Sequence, residues 1–182
     1  MPKFYTGSGD KGETTLLGGV RVGKDDARVK ALGDLDEANS MIGFARSFLK
    51  LPAVDTILEK VQQDLFTVGL DVIAPLQNRS RVTNDMVKAL EEHLDLLAKE
   101  LPDYRRFVLP NGSQEVASLY LARSVVRRAE RTIVKISRST PNLLSSIKYL
   151  NRLSSLLYVA ARYTALKTGI VEKEWVSDEE SK

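Results

Sequence analysis

The sequence predicts an all-α protein, a five-helix bundle preceded by a glycine-rich N-terminal loop. Three observations carry the prediction. Apolar residues recur at helical spacing through five long segments between about residues 26 and 168. Alternating strand patterns are nearly absent. Six of the eleven glycines (Gly7, Gly9, Gly12, Gly18, Gly19 and Gly23) fall within the first 24 residues, a segment expected to have little regular structure of its own. With 182 residues the chain is long enough for one domain with a sizeable core, and one domain over 1–182 is expected. Its parts are a loop over 1–24, a bundle over about 26–168 and a tail over 170–182.

The first helix is expected from about Asp26 or Val29 to Leu49, with Leu32, Leu35, Ala38, Ile42, Ala45 and Leu49 on its apolar face and Pro52 ending it. The second runs from about Val54 to Ile73 and stops at Pro75. A polar connection over residues 75–83 leads to the third, N-capped by Thr83 and reaching about Leu101. Residues 102–112 form another connection, which carries Phe107-Val-Leu-Pro110. The fourth starts at the cap candidate Ser113 and reaches about Ser137. The fifth spans about Pro141 to Thr168, with Pro141 near its first turn and Gly169 just past its end. The last two helices are roughly 35–40 Å long at 1.5 Å per residue, and short connections make the helices antiparallel neighbours. Trp175 is read as a packing anchor for the tail, and the acidic end as frayed.

Composition narrows the function. Hydrophobic residues are 43% and charged residues 28%, ordinary for a soluble globular protein. A net charge of +3 argues against a glove for long nucleic acid while leaving room for a local basic site. The chain has no cysteine, which excludes disulfides, thiolate chemistry and Cys-ligated metal. Its one histidine, His93, builds no His-rich metal site and reads as a surface helix residue. No apolar run reaches the roughly 18 residues of a membrane span, and the N-terminus shows no apolar signal region, so a cytoplasmic location is expected.

The most informative segment is Arg123-Ser-Val-Val-Arg127-Arg128-Ala-Glu130-Arg131. At 100° per residue, Arg123, Arg127, Glu130 and Arg131 share an arc of about 100°, and Ala122, Val125, Val126, Ala129 and Ile133 lie opposite. Arg128 points about 100° away from Arg127 and is a candidate for an interface. Surface helices usually alternate Lys and Glu; a run of arginines gathered about one carboxylate suits phosphate. Alone, the pattern also fits a solvated, salt-bridged face or a nucleic-acid surface, the latter recognisable by steep salt dependence of binding.

The second informative segment is Thr6-Gly-Ser-Gly-Asp10-Lys11-Gly-Glu-Thr14-Thr15. Its glycines allow sharp turns and expose amide donors, Thr6, Ser8, Thr14 and Thr15 add hydroxyls, and Lys11 adds charge, which together make a triphosphate cradle. A flexible arm is the bland alternative. Gly7-x-Gly9-x-x-Gly12 matches the dinucleotide fingerprint as text, but the chain lacks βαβ units, and the Gly-Lys-Ser/Thr of a Walker A loop is missing. Lys24 and Arg28 follow the loop. Asp34, Asp36, Glu37 and Asn39 then cluster near a helix start, where acids favour the dipole; Asp36 and Asn39 share a face. Asp36 alone reads as an ordinary surface acid, and Phe107 as a core residue whose place in a loop leaves a site role open.

Taken together, five motifs closely resemble the PduO-type ATP:cob(I)alamin adenosyltransferases. They are Tyr5-Thr-Gly-Ser-Gly-Asp-Lys-Gly-Glu-Thr-Thr15, Arg28-Val-Lys-Ala-Leu-Gly-Asp-Leu-Asp-Glu-Ala-Asn-Ser40, Phe107-Val-Leu-Pro110, Ala122-Arg-Ser-Val-Val-Arg-Arg-Ala-Glu-Arg131 and Tyr149-Leu-Asn-Arg-Leu-Ser154. The resemblance covers about residues 3–168. It implies a cobalamin adenosyltransferase-like bundle that assembles as a homotrimer with active sites between subunits. The implied reaction transfers the 5′-deoxyadenosyl group of ATP to cob(I)alamin, giving adenosylcobalamin and inorganic triphosphate. The implied ATP contacts are Thr6, Gly7, Ser8, Gly9, Asp10, Lys11, Thr14, Thr15, Lys24, Arg28, Arg127, Arg128, Glu130, Arg131 and Asn151, with Glu130 beside Mg²⁺. Asp36 and Arg123 resemble an intersubunit ion pair near the corrin. Phe107 resembles the aromatic that covers the lower face of cobalt and keeps the dimethylbenzimidazole away. Asp36, Phe107, Arg123 and Arg127 are thus the implied catalytic set. An external reductase for Co(II) is also implied, with delivery of product to an adenosylcobalamin-dependent enzyme as a further possibility; neither nucleic acid nor membrane is an expected partner.

Two departures stand out. The family usually has Leu-Pro-Gly-Gly where this chain has Leu109-Pro-Asn111-Gly112, and Asn111 is expected to keep the turn because Asn tolerates left-handed backbone. Leu32 stands where the family often has tyrosine, so a small packing change is expected there.

Overall fold

A computed structural model describes residues 4–74, 79–103 and 107–176. The helices are α1 (Ala27–Arg46), α2 (Pro52–Ile73), α3 (Asn84–Ala98), α4 (Gln114–Ser137) and α5 (Leu144–Lys167), with a 3-10 turn at Pro141–Leu143 before α5. The expected five-helix bundle is thus present. The N-terminal segment departs from the expected structureless loop: β1 (Glu13–Thr15) and β2 (Arg21–Gly23) pair antiparallel, Thr14 opposite Val22. Three-residue strands carry too little alternation to be legible. Their turn is closed by Leu16 N donating to Val20 O at 2.8 Å, with Gly18 and Gly19 at φ 91° and 84° where a side chain would be strained.

The helix ends follow local chemistry. Thr83 Oγ1 accepts from Met86 N at 3.3 Å and Ser113 Oγ from Val116 N at 3.4 Å, as their spacing predicts. Gly169, at φ 71°, ends α5: Ile170 N donates to Ala165 O at 2.9 Å and Gly169 N to Leu166 O at 3.3 Å, the paired bonds of a Schellman cap. Pro52 occupies the first turn of α2, where its missing N–H costs nothing, so α2 begins two residues earlier than expected. Pro141 opens a 3-10 turn and α5 proper starts at Leu144.

The principal contacts join α1 to α4, α4 to α5, α3 to α5 and α1 to α2. α4 is the inner helix, burying Ala122, Val126, Ala129 and Ile133 completely. These small and branched side chains let α1 and α5 approach closely on two sides. Leu32 packs toward Gly69 of α2, where an added Cβ would lie 3.1 Å from its Cδ1. The smaller Leu in place of the family's tyrosine thus meets a helix with no side chain at that point.

Two buried carboxylates brace α2. Asp64 accepts the Tyr149 hydroxyl at 3.0 Å and pairs with Lys60, and burial pushes the Tyr149 phenol far above its ordinary value. Asp71 accepts from Arg81 N at 3.0 Å, from Arg81 Nη1 at 3.1 Å and from the Ser80 hydroxyl, pinning the approach to α3. Removing a fully used buried acceptor leaves its donors stranded. Asp71→Ala is expected to destabilise by about 3 kcal/mol in denaturant unfolding, and Lys88→Ala, which breaks only an exposed pair with Glu92, by less than about 0.5 kcal/mol. Equal losses would contradict this division of labour.

Candidate active site

Because α4 is packed on two sides, its charged residues are sorted by direction. Arg127 and Arg131 face solvent, and no carboxylate pairs with either among the described residues. Between them Glu130 is half-buried, and Asn151 of α5 donates to its Oε1 at 3.2 Å. Arg152 Nη1 donates to the Asn151 side-chain Oδ1 at 3.0 Å, and Glu91 of α3 accepts from Arg152 Nε at 2.7 Å. This relay fixes the amide so that it donates toward Glu130. Glu130 Oε2 keeps no hydrogen-bond partner among the described residues.

Arg128 points elsewhere. It ion-pairs with Glu37 of α1, and its Nε lies 4.0 Å from Asp34, itself bonded to Thr132 Oγ1 at 2.5 Å. Of the run, this guanidinium clasps α1 to α4. Arg123 points to α5, its Cζ 5.4 Å from the centre of the Tyr158 ring. Its Nε is buried without a hydrogen-bond partner. Asp36 is exposed on α1 and lines an apolar groove of about 250 Å³ against α2, with Leu32, Leu35, Asn39 and Phe66. Asp36 and Arg123 form no ion pair within the chain.

The glycine loop lies before and against β1. Gly7 and Gly12 have φ 70° and 81°, and Thr6 Oγ1 meets Ser8 Oγ at 2.8 Å. Lys24 folds back over the loop: a Cβ on Gly9 would sit 3.2 Å from Lys24 Nζ and 3.4 Å from Glu13 O, so a side chain there would push the lysine aside. Asp10, Lys11 and Thr15 are exposed and Thr14 is half-buried. The hairpin's principal contacts are between its own strands. Neither strand is among the principal packing partners of α4. Arg28 is already engaged: it holds Asp26 through Nε at 3.0 Å and Nη2 at 2.9 Å, while Asp26 caps α1 by accepting from Arg28 N at 2.8 Å.

Phe107 is 80% exposed and is no core residue. Its carbonyl accepts from Trp175 N at 2.7 Å, and Leu109 N donates to Lys173 O at 2.8 Å, so loop and tail form a two-stranded contact about Val108 and Glu174. Asn111 does not adopt left-handed backbone; Gly112 takes the unusual φ of 134°, where a Cβ would meet Val116 at 3.1 Å. The second glycine of the family's pair is thus the indispensable one here. His93 is half-buried beside Asp85 and Met86 rather than freely exposed.

Residue-by-residue reading missed Phe66, Tyr158 and the pairing of the tail with the Phe107 loop; Trp175, expected as a packing anchor, is 53% exposed and holds the tail through its backbone N–H. Phe66 is 69% exposed directly after the core residue Leu65, so a large aromatic off the apolar face was its available signal. Tyr158 and the pairing of the tail depend on tertiary contacts that no local pattern encodes.

A bundle with an arginine-lined helix face and a glycine hairpin of this kind defines a helical nucleotide-handling enzyme. The chain matches the cobalamin adenosyltransferase family over residues 4–164. It is 37% identical to the corrinoid adenosyltransferase of Bacillus subtilis over 95% of this chain and 92% of that one. It is 35% identical to the human corrinoid adenosyltransferase MMAB over 100% of this chain and 76% of that one. A structure of a variant PduO-type ATP:corrinoid adenosyltransferase from Lactobacillus reuteri, complexed with cobalamin and ATP, superimposes with a TM-score of 0.89 at 32% identity, covering 96% of this chain and 100% of that one. The protein belongs to the cobalamin adenosyltransferase family. No helix among the described residues is long and apolar enough to cross a membrane.

The Arg28 guanidinium and amide hold the Asp26 carboxyl down, from the ordinary 3.8 to about 2. A depressed folded-state value means that the cap's contribution to stability is complete above the unfolded carboxylate range and is lost progressively as pH falls from 3.8 through about 2. NMR titration is expected to find Asp26 ionised down to about that pH in the wild type and titrating at higher pH in Arg28→Ala, which removes the guanidinium and keeps the amide. A wild-type midpoint near 3.8 would contradict the clasp.

Proposed function

We propose that this protein transfers the 5′-deoxyadenosyl group of ATP to cob(I)alamin, releasing inorganic triphosphate, at sites built between copies of the chain. The observation that carries the reading is the pair of guanidiniums, Arg127 and Arg131, that pair with no carboxylate among the described residues and flank the Glu130–Asn151 contact. A triphosphate supplies the charge that this face lacks.

The loop of one subunit would wrap ATP against α4 of the next, since the hairpin has so little contact with its own bundle. The exposed apolar turn at Leu17 and Val20 favours a protein surface over solvent. Thr6, Ser8, Thr14 and Thr15 offer hydroxyls, Gly7 and Gly9 offer close backbone, and Lys11 and Lys24 offer charge. Arg28 and Arg128, neutralised by Asp26 and by Glu37, are secondary contacts. The family's closed assembly is a homotrimer, and the same assembly is proposed here.

Cob(I)alamin is the substrate and its cobalt the nucleophile. The cobalt–carbon bond forms at C5′ as the bond from C5′ to the triphosphate oxygen breaks, and the electron pair leaves with the triphosphate. No protein nucleophile is needed, in keeping with a chain lacking cysteine. The protein's work is alignment and charge stabilisation. Arg127, Arg131 and Lys11 meet the charge growing on the leaving group. Glu130 fits a Mg²⁺ site of the kind that uses one carboxylate together with substrate phosphates, since its Oε2 is unpartnered and no multi-ligand metal cluster exists among the described residues. Bound there, the ion would neutralise phosphate charge.

Corrin binding is assigned to the groove of Leu32, Asp36 and Phe66 together with Phe107 and Arg123. Arg123 stacks on Tyr158 with a buried Nε left over, so a carboxylate from another copy, Asp36, would complete it. Phe107, exposed and apolar, would displace the axial base and exclude water, which makes Co(II) easier to reduce. The electron comes from an external reductase, and the product passes to an adenosylcobalamin-dependent enzyme.

Chemically reduced cobalamin with MgATP is expected to give adenosylcobalamin and inorganic triphosphate in equal amounts; ADP or AMP in place of triphosphate would refute the reaction. Arg127→Ala and Glu130→Ala are expected to lower kcat/KM for ATP by about 10²–10³ with corrin affinity retained. Phe107→Ala is expected to slow Co(II) reduction while ATP affinity persists, and loss of ATP binding would sink that assignment.

A further inference from the structure

The buried ion pair of Arg162 and Glu172 is not used by the reaction described above. Arg162, 8% exposed on α5, sends Nε to Glu172 Oε2 at 3.2 Å and Nη2 to Pro102 O at 3.3 Å. Glu172 also accepts from the Tyr120 hydroxyl at 3.4 Å. Both carboxylate oxygens are thus held, one by each partner. Two guanidiniums bracket a single ring: Arg162 Cζ lies 5.8 Å, and Arg123 Cζ 5.4 Å, from the centre of Tyr158. Tyr120 packs edge-on against the same ring at 6.0 Å.

The positions of these partners carry the argument. Pro102 begins the connection that presents Phe107, and Glu172 begins the tail. The two segments meet again at their far ends, where Trp175 N donates to Phe107 O at 2.7 Å and Leu109 N to Lys173 O at 2.8 Å. Arg162 therefore holds Pro102 beside Glu172, the neighbour of Lys173 at the Leu109 end of the Phe107 ribbon, and through Tyr158 it shares a ring with Arg123. Burying a charged pair contributes little to stability in general, because desolvation offsets attraction. Its geometric consequence is specific: a planar fork binding a carbonyl and a carboxylate together sets the spacing of two chain segments.

We propose that Arg162, with Glu172 and Tyr158, is a positioning cluster for the corrin half of the reaction, fixing the ribbon that carries Phe107 and the stacked pose of Arg123. The proposal rests on the corrin role given above to Phe107 and Arg123. Among the described residues no hydrogen bond, ion pair or ring contact joins the cluster to Arg127, Arg131 or the glycine loop, so its effect is assigned to the corrin step.

The test uses the full-length protein with Co(II) cobalamin and MgATP, followed by visible spectroscopy. Wild type is expected to shift cobalamin to the form without its axial base. Glu172→Gln, which keeps shape and loses charge, is expected to reduce the shifted fraction several-fold, and Arg162→Ala to abolish it. Arg162→Lys, with charge but no fork, is expected to fall between. ATP affinity is expected to stay within about twofold of wild type in all three, measured calorimetrically with no corrin present; this separates positioning from general loss of structure. A full spectral shift in both Glu172→Gln and Arg162→Ala would overturn the inference, as would a parallel loss of ATP binding in Glu172→Gln. No shift in the wild type would instead overturn the corrin reading of Phe107, and the inference with it.

Discussion

The packing of α4 between α1 and α5 is the constraint on which the rest of the structure depends. Ala122, Val126, Ala129 and Ile133 are completely buried, and side chains this small leave the neighbouring helices close and α4 without rotational freedom. The directions of its arginines follow from that fit. Arg123 is driven onto Tyr158, Arg128 onto the acids of α1, and Arg127 and Arg131 outward. A rotation by one residue, about 100°, would bury a guanidinium. Rigid presentation of this kind lowers the reorganisation needed when charge develops on a leaving group.

Much of this was legible before the structure. The five helices, the caps at Thr83 and Ser113 and the glycine after α5 follow from local chemistry, because periodicity and capping are properties of adjacent residues. The 3.6 period also separates Arg128 from Arg127, and the structure gives that separation its meaning in Glu37. The hairpin at Glu13–Gly23 was not legible, since three-residue strands carry almost no pattern. The turn at Asn111 was read on the wrong residue: the left-handed burden falls on Gly112, whose missing Cβ makes room for Val116. The pairing of the tail with the Phe107 loop brings together segments more than sixty residues apart, and no local signal announces it.

The single chain is chemically unfinished in three places. Among the described residues its outward arginines have no counter-charge and a buried nitrogen of Arg123 has no hydrogen-bond partner, and the hairpin leaves its apolar turn in solvent. Three other carboxylates are by contrast fully used: Asp71 and Asp64 brace α2, and Glu172 is shared between Arg162 and Tyr120. Deficits of these three kinds fit the proposed site completed by ATP, corrin and a second copy.

The most direct test of that claim is complementation between two defective chains. Arg127→Ala keeps its loop and spoils its arginine face; Gly9→Val spoils the loop that Lys24 closes over and keeps the face. Each is expected to be nearly inactive alone. Unfolded together in equal amounts and refolded, they are expected to recover about a quarter of wild-type adenosylcobalamin formation, the statistical share of sites that draw an intact loop and an intact face from different chains. A mixture that forms mixed oligomers yet stays as inactive as its components would contradict a site shared between copies.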